Sequence, residues 1–235
     1  MKKILLAVGL MFASVCAFAN VEIDVNLYGM GKALTFETTD KVKGDINQSF
    51  AFGFEDDFNF FFGSSASKFD AGLGFFINCD FFKKAELKVN GRSSADYEGN
   101  GFNMEFGIGP VFRITFANPF SLYIRPTLGF DFFYVESDDI KETTSSGRTT
   151  TYKERIAEFD ILKFDVNIGG RSWLLNVDGF HLGIDYGAIL GFGGGFGAFS
   201  DTSSSSNSDG FTSADVDFKI YVGLCMNFGD RGFDR

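Results

Sequence analysis

The sequence predicts an all-β protein, an eight-stranded antiparallel up-and-down transmembrane β-barrel. Three observations predict this fold: eight segments in which apolar and polar residues alternate, connections that alternate between long and short, and 33 phenylalanines in 235 residues. Alternation with a period of two is typical of strands, because successive side chains on a strand point to opposite faces. No stretch beyond the N-terminus approaches the about 18 consecutive apolar residues of a membrane-spanning helix.

The alternation is clearest between Gly101 and Phe133, where it predicts the strands 101–116 and 120–135. One face is almost entirely apolar and strongly aromatic, while the other carries small polar residues and charges of both signs. The apolar face contains Phe102, Met104, Phe106, Ile108, Pro110, Phe112, Ile114, Phe116, Phe120, Leu122, Ile124, Pro126, Leu128, Phe130 and Phe132. The polar face contains Asn103, Glu105, Arg113, Thr115, Arg125 and Asp131.

Three predicted strands precede this pair, at 21–36, 48–63 and 68–82. The first sets Val21, Ile23, Val25 and Leu27 against Glu22, Asp24, Asn26 and Lys32. The second has an apolar face of Phe50, Phe52, Phe54, Phe58, Phe60 and Phe62. The third sets Phe69, Ala71, Leu73, Phe75, Ile77, Cys79 and Phe81 against Lys68, Asp70, Asn78 and Asp80.

Three more predicted strands follow the pair, at 158–174, 180–196 and 212–228. The first sets Leu162, Phe164, Val166, Ile168 and Leu174 against Lys163, Asp165, Asn167 and Arg171. The second sets Phe180, Leu182, Ile184, Tyr186, Ala188, Leu190 and Phe192 against His181, Asp185 and glycines. The last sets Ala214, Val216, Phe218, Ile220, Val222, Leu224, Met226 and Phe228 against Asp215, Asp217, Lys219, Tyr221 and Asn227.

A few residues break these patterns. Asp56 falls on the phenylalanine face of its strand, so we expect either a bulge that turns it inward or a position at the membrane interface. Pro110 and Pro126 lie opposite each other if the turn is centred at Asn118, and we expect a bulge or a non-bonded pair there because proline has no N–H. Phe159 and Ile161 are out of phase with the residues that follow, which predicts a bulge.

The connections predict which ends of the strands lie together. In order they are 37–47, 64–67, 83–100, 117–119, 136–157, 175–179 and 197–211, and long and short ones alternate without exception. The long connections are polar and rich in serine and threonine. Outer-membrane barrels have this asymmetry, with short periplasmic turns and long extracellular loops. On this reading the phenylalanine face meets lipid, and the face with arginines and carboxylates lines the lumen.

The N-terminus predicts export. Lys2 and Lys3 precede an apolar stretch that ends at Ala17-Phe18-Ala19, so we expect a cleaved signal peptide at 1–19, a barrel at 20–228 and a short periplasmic tail at 229–235. An uncleaved anchor and lipid attachment at Cys16 are the alternatives. Cleavage changes the net charge from −10 to −12, because it removes two lysines. So acidic a product, without a basic stripe, is not expected to bind nucleic acid.

The chain resembles the small eight-stranded outer-membrane barrels, the group of the OmpA transmembrane domain, OmpX, the opacity proteins and the OmpW-like proteins. The resemblance covers the signal peptide, the eight strands and the loop asymmetry. It is most specific at "YVGLCMNF", where Tyr221, Gly223, Met226 and Phe228 resemble the C-terminal signal that these proteins present to the barrel-assembly machinery. The resemblance implies residence in the outer membrane of a diderm bacterium, in contact with its lipid.

Charged lumen positions are the candidate site residues. In the lower half, Asp24, Asp70, Arg113, Arg125, Arg171 and Asp185 predict a structural salt-bridge network, with a proton or ion path as the alternative. In the upper half, Lys32, Asp80, Glu105, Asp131, Lys163, Asp165, Asp215 and Asp217 predict either a hydrated acidic vestibule or a divalent-cation site. Aromatic girdles are expected near both strand ends, the upper one including Phe36, Phe50, Phe81, Phe102, Phe132 and Phe196.

No catalytic, cofactor-binding or metal-binding residue is expected. The single His181 has no visible serine partner, and only Cys79 and Cys225 remain after cleavage, which leaves no transition-metal pattern. We therefore expect a non-enzymatic protein with a structural, adhesive or other surface-interaction role through loops 83–100, 136–157 and 197–211. An OmpW-like narrow channel for small hydrophobic molecules is the alternative. A soluble lipocalin-like carrier, with its phenylalanines inside, is a third hypothesis.

Overall fold

The structure of the protein is a computed structural model that describes residues 20–39, 41, 43–62, 68–82, 86–89, 92–93, 99–117, 120–137, 140–143, 148–152, 155–177, 179–201 and 206–228. The predicted signal peptide at 1–19 and the predicted tail at 229–235 lie outside the described residues. Within the described part of the chain, no helix has the length and apolar character needed to cross a membrane.

Strands make up nearly all of the described chain. In order they are β1 (Asn20–Thr38), β2 (Lys43–Phe61), β3 (Phe69–Phe82), β4 (Glu86–Val89), β5 (Arg92–Ser93), β6 (Gly99–Ala117), β7 (Phe120–Ser137), β8 (Ile140–Thr143), β9 (Thr149–Tyr152), β10 (Arg155–Val177), β11 (Phe180–Asp201) and β12 (Ser206–Phe228). The eight long strands, β1, β2, β3, β6, β7, β10, β11 and β12, are the eight that the sequence predicts.

The eight long strands close into an antiparallel ring. Each pairs with its neighbours along the chain, and β12 closes the ring by pairing with β1. A row of paired residues that starts at Ile23 returns to β1 at Ala33, ten residues further along the strand, after passing through Phe58, Phe75, Ile108, Leu128, Phe164, Phe192 and Val216. A stagger of this kind tilts the strands against the barrel axis. Closure also pairs both edges of every long strand, which hydrocarbon requires.

The two faces of the wall differ as the alternation predicts. The outward face is apolar and exposed, and Leu128 and Ile220, for example, are 60% and 61% exposed. The inward face holds the polar residues, and Asp24 and Arg171 are fully buried. This arrangement is the opposite of the lipocalin-like hypothesis, which placed the phenylalanines inside. A continuous apolar surface of this extent needs lipid or a partner against it.

The strands extend further than predicted at the upper end, where the long connections lie. β11 continues to Asp201 and β12 begins at Ser206, so most of the predicted loop 197–211 is strand. The predicted loop 83–100 contains β4, which pairs with 44–47 of β2, and the predicted loop 136–157 contains the hairpin of β8 and β9. These segments are polar, and their composition therefore predicts loops. Threonine, which dominates 149–152, is β-branched and favours strands.

The residues that broke the pattern behave in different ways. Pro110 and Pro126 lie at opposite positions, and the paired residues of β6 and β7 are interrupted between Ile108↔Leu128 and Phe112↔Ile124 without a register shift. The bulge predicted at Phe159 and Ile161 is wrong, because β10 pairs with β11 without interruption through this stretch and both side chains point inward.

Phe36 points inward and Asp56 points outward. Phe36 does not belong to the upper girdle, since its ring points inward and is buried. Asp56 is not turned inward: it lies on the outward face, opposite Val25 on β1 and Ile77 on β3. The register shift in β2 falls above Ala51 and therefore does not affect it.

Candidate functional site: a charge network inside the barrel

The lower network comprises nine buried ionisable side chains on the inward face: Glu22, Asp24, Glu55, Asp57, Asp70, Arg113, Arg125, Arg171 and Asp185. Arg171 is at its centre. Its guanidinium binds Glu22, lies 2.5 Å from Asp24 Oδ2 and 3.6 Å from Asp185 Oδ1, and its carbon lies 4.1 Å from the centre of the Tyr123 ring. One arginine thus ties β10 to β1 and β11.

The other two arginines connect further strands. Arg113 on β6 binds both Glu22 on β1 and Asp70 on β3. Arg125 on β7 lies 2.7 Å from Asp57 Oδ1 and 3.2 Å from Glu55 Oε1, both on β2. Planar guanidinium groups suit such sites because they offer several donors in fixed directions and also stack on rings.

Neutral donors complete the lower network. Asn59 donates to Asp24 Oδ2 at 3.0 Å, and Tyr123 donates to Asp185 Oδ2 at 3.0 Å. The hydroxyl oxygens of Tyr123 and Tyr221 are in contact, and Tyr221 donates to Asn167 Oδ1 at 2.8 Å. Buried charges need such partners, because the water that solvated them has been removed.

The structure places all six predicted lower residues inside the barrel. Asp70 pairs with Arg113, while Asp24 and Asp185 both lie beside Arg171. Sequence reasoning missed the acids Glu22, Glu55 and Asp57. The inward phase of β1 and β2 contains this signal, since Glu55 and Asp57 alternate with the outward phenylalanines of β2.

The upper network comprises nine buried ionisable side chains: Lys32, Asp80, Glu105, Asp131, Lys163, Asp165, Asp215, Asp217 and Lys219. Lys163 binds Asp217 and lies 2.8 Å from Glu105 Oε2 and 3.5 Å from Asp165 Oδ1. Lys219 lies 2.6 Å from the same Glu105 oxygen. Three lysines replace the three arginines of the lower network.

The third lysine, Lys32, donates to Asp131 and forms an ion pair with Asp215, with Nζ 3.4 Å from Oδ1. Asp80 accepts instead from Asn103, at 3.0 Å, and from the Tyr28 hydroxyl, at 3.2 Å. All eight predicted upper residues are therefore inside the barrel and in contact with polar partners or with one another.

These residues do not line an open vestibule, which corrects the hydrated alternative. An upper apolar group covers them, made of Leu34, Phe36, Ile46, Phe82, Phe133, Val135, Ile156, Phe159 and Ile161, all buried. Phe82 stacks on Phe133 with ring centres 5.5 Å apart, and Phe36 packs on Phe159 at 5.4 Å. The upper network is enclosed by protein.

The lower end is also filled. The Phe61 ring is fully buried, with the guanidinium carbon of Arg113 3.8 Å from its centre. Trp173 and His181 are buried and meet edge to face, with ring centres 6.2 Å apart. His181 thus packs against an aromatic ring.

Similar folds occur among solved structures. That of the outer membrane protein OprG from Pseudomonas aeruginosa matches with a TM-score of 0.56 and 9% identity, over 90% of this chain and 97% of that chain. The chain has the fold of the small outer-membrane β-barrel proteins. A weaker match is the outer membrane protease OmpT from Escherichia coli, with a TM-score of 0.40 and 8% identity, over 89% of this chain and 97% of that chain. Another is Ail, the attachment invasion locus protein of Yersinia pestis, with a TM-score of 0.38 and 12% identity, over 87% of this chain and 97% of that chain.

The likeness to OprG confirms the predicted fold and, at this identity, concerns the fold alone. No protein-family model matches the sequence, and no curated protein sequence matches it.

Two groups of acids in the barrel come close enough to be considered as cation sites. Oxygens of Asp24, Asp57 and Asp185 lie within 4.8 Å of one another, and so do oxygens of Glu105, Asp131 and Asp217. The first group surrounds Arg171 and Arg125, and the second surrounds Lys163. The side chains of the protein itself therefore supply the cations in both places.

Proposed function

We propose that the chain is a non-enzymatic integral protein of the outer membrane of a diderm bacterium, with a closed lumen and a surface-interaction role at its upper end. The observation that carries the proposal is the complete row of outward apolar residues from Ile23 round the ring to Ala33. Lipid is the solvent that accepts such a row on every side of a closed sheet.

The orientation follows from the two ends of the barrel. The described chain begins at Asn20 and ends at Phe228 at the lower end, where the connections are short, and this end corresponds to the periplasm. The upper end, with the extended β11 and β12, the β8–β9 hairpin and β4, corresponds to the cell exterior. Ser- and Thr-rich residues there suit recognition of an external ligand, which is the proposed role of 83–100, 136–157 and 197–211.

The C-terminal strand supports a role in assembly. Tyr221 and Gly223 point into the barrel, whereas Met226 and Phe228 point outward. Gly223 is needed for packing, because a Cβ there lies 2.2 Å from Asn26 Oδ1 and 2.1 Å from the Val25 carbonyl oxygen. We propose that these four residues form the signal that the barrel-assembly machinery recognises.

The filled interior favours a structural role over the channel alternative. A narrow channel for small hydrophobic molecules needs an apolar path, but the lower and upper networks cross the lumen one above the other. The interior of an eight-stranded barrel is narrow enough for its own side chains to fill. The buried ion pairs therefore act as structural filling.

Heat-modifiable gel mobility tests the proposal. The full chain, expressed in a diderm host, should fractionate with outer membranes and run at a different apparent mass before and after boiling in detergent. A periplasmic binding protein serves as the control and should be released by osmotic shock without a boiling shift. Release of the chain with that control would refute the membrane assignment.

A further inference from the structure

Asp56 is an exception on the outward face of the barrel. On β2 it lies between the outward residues Phe54 and Phe58. Its paired neighbours on the adjacent strands are Val25 on β1 and Ile77 on β3. Within the first ten or so residues above the lower ends of the eight long strands, it is the only charged outward side chain among the described residues. Its side chain forms no hydrogen bond or ion pair with another described residue.

The depth of Asp56 excludes the interface position that the sequence suggested. It is six residues above Phe62, the lowest phenylalanine of its strand. A tilted strand rises about 2.5 Å per residue along the barrel axis, so Asp56 lies about 15 Å above that end of an apolar band that is about 25 Å tall. An ionisable side chain near the middle of a bilayer is costly to keep and marks a functional contact.

The kind of contact depends on the polar groups that a neighbouring protein can place against Asp56 at this depth in the membrane. A salt bridge needs a base, and the described outward belt has none. The hydroxyls of Ser172 and Tyr186 also lie on the outward face, but they are 3.4 Å apart and hydrogen-bonded to each other. Among the described residues, Asp56 is therefore the outward side chain at this depth whose carboxyl or hydroxyl group has no partner, and a second copy presents the same group. A two-fold axis brings identical groups together, because such an interface is isologous. Two carboxyl groups can then share a hydrogen bond when at least one carries a proton, and hydrogen bonding between polar side chains is a recognised source of association in lipid.

We propose that Asp56 is the centre of a two-fold interface between two copies of this chain within the membrane, formed by the outward faces of β1, β2 and β3. The inference rests on the proposed membrane location. The polar contact supplies the specificity that a purely apolar belt lacks.

The chain carries its own reporter for this interface. Cys79 is on the same face of β3, opposite Phe54, and is therefore a diagonal neighbour of Asp56. Diagonal neighbours on adjacent strands lie about 7–8 Å apart. Cys79 is partly exposed, whereas Cys225 points inward and is buried. A two-fold contact at Asp56 brings the two Cys79 thiols of a pair close together.

Oxidative cross-linking tests the proposal. The full chain in outer membranes, or in phosphatidylethanolamine vesicles at matched density, is oxidised with copper–phenanthroline and analysed on a non-reducing gel. We expect a disulfide-linked dimer, its loss in Cys79→Ser, and its retention in Asp56→Asn, because an amide pair also forms hydrogen bonds. Asp56→Val should lower the dimer yield about five- to tenfold, the worth of one polar contact in lipid.

The matched control is Ile168→Cys combined with Cys79→Ser. Ile168 is 58% exposed on β10, which is opposite β2 in the ring, and this variant should stay monomeric. A monomeric wild type, an undiminished dimer in Asp56→Val, or a disulfide to a different protein overturns the proposal. Each variant is also tested for the change in gel mobility on boiling, which shows whether it is folded. If the wild type lacks this change, the membrane assignment fails and not the dimer proposal.

Discussion

Arg171 on β10 and Glu22 on β1 form an ion pair across the lumen between strands that are three places apart in the ring. Arg113 on β6 binds the other oxygen of the same carboxylate. Glu22 therefore links three strands, none of which is adjacent to another, and the lower network braces the barrel across its width.

Loss of the Arg171 guanidinium should destabilise the barrel strongly. Arg171→Leu removes the guanidinium from Asp24 and Asp185 and one of the two arginines from Glu22. Breaking a buried pair costs about 3–5 kcal/mol. The temperature at which the folded gel band converts to the unfolded one should fall sharply in detergent. The control is Lys43→Ala at the exposed pair of Lys43 and Glu37, 3.9 Å apart, where little change is expected. Similar effects of the two substitutions would contradict the bracing role.

An arginine on the outward face should cost more near the middle of the apolar band than near its upper edge. Ile124 and Phe132 are both outward on β7 and are 42% and 39% exposed, but they are four and twelve residues above Phe120. At about 2.5 Å per residue the first lies well inside the apolar band and the second near its upper edge. Ile124→Arg should cost about 2–4 kcal/mol and Phe132→Arg about 0–1 kcal/mol. Yields of heat-modifiable protein measure the difference, and equal yields would show that the band is placed wrongly.

Gly169 should resist enlargement. A Cβ there lies 2.3 Å from the Tyr221 hydroxyl oxygen and 2.5 Å from the Tyr123 ring. Because both tyrosines are held in the buried network, Gly169→Ala should cost about 1–3 kcal/mol through overpacking. The outward Gly29, whose Cβ meets only the Phe50 ring at 3.2 Å, provides the control. Unfolding temperatures in detergent should fall for Gly169→Ala and hardly change for Gly29→Ala.

The wild-type barrel should show no steady conductance in a planar bilayer. Arg113→Ala with Arg125→Ala removes two cations of the lower network, but the upper network and the upper apolar group remain in the path. The double variant should therefore unfold more readily and still conduct no steady current. A large, stable wild-type current would revive the channel alternative, and a current in the double variant would show that the upper layers do not close the lumen.

Period-two alternation was sufficient to predict the eight long strands and their faces. It did not identify which charges meet, because the stagger that joins Ile23 to Ala33 round the ring brings together residues distant in sequence, such as Glu22 and Arg171. Phe159 and Ile161 were misread as a bulge because the inward residues next to them, Lys163 and Asp165, are charged. The inward face is in fact layered, with the two charge networks below and the upper apolar group above them.

The upper apolar group has a consequence for how the exterior of this protein can change. Among the described residues, its side chains come from β1, β2, β3, β7 and β10. Foreign epitopes grafted into 144–147 or 202–205 should leave the permeability barrier of the cell envelope intact. In the proposed orientation, the sequence of these exterior segments can therefore vary while the closure of the barrel beneath them stays the same.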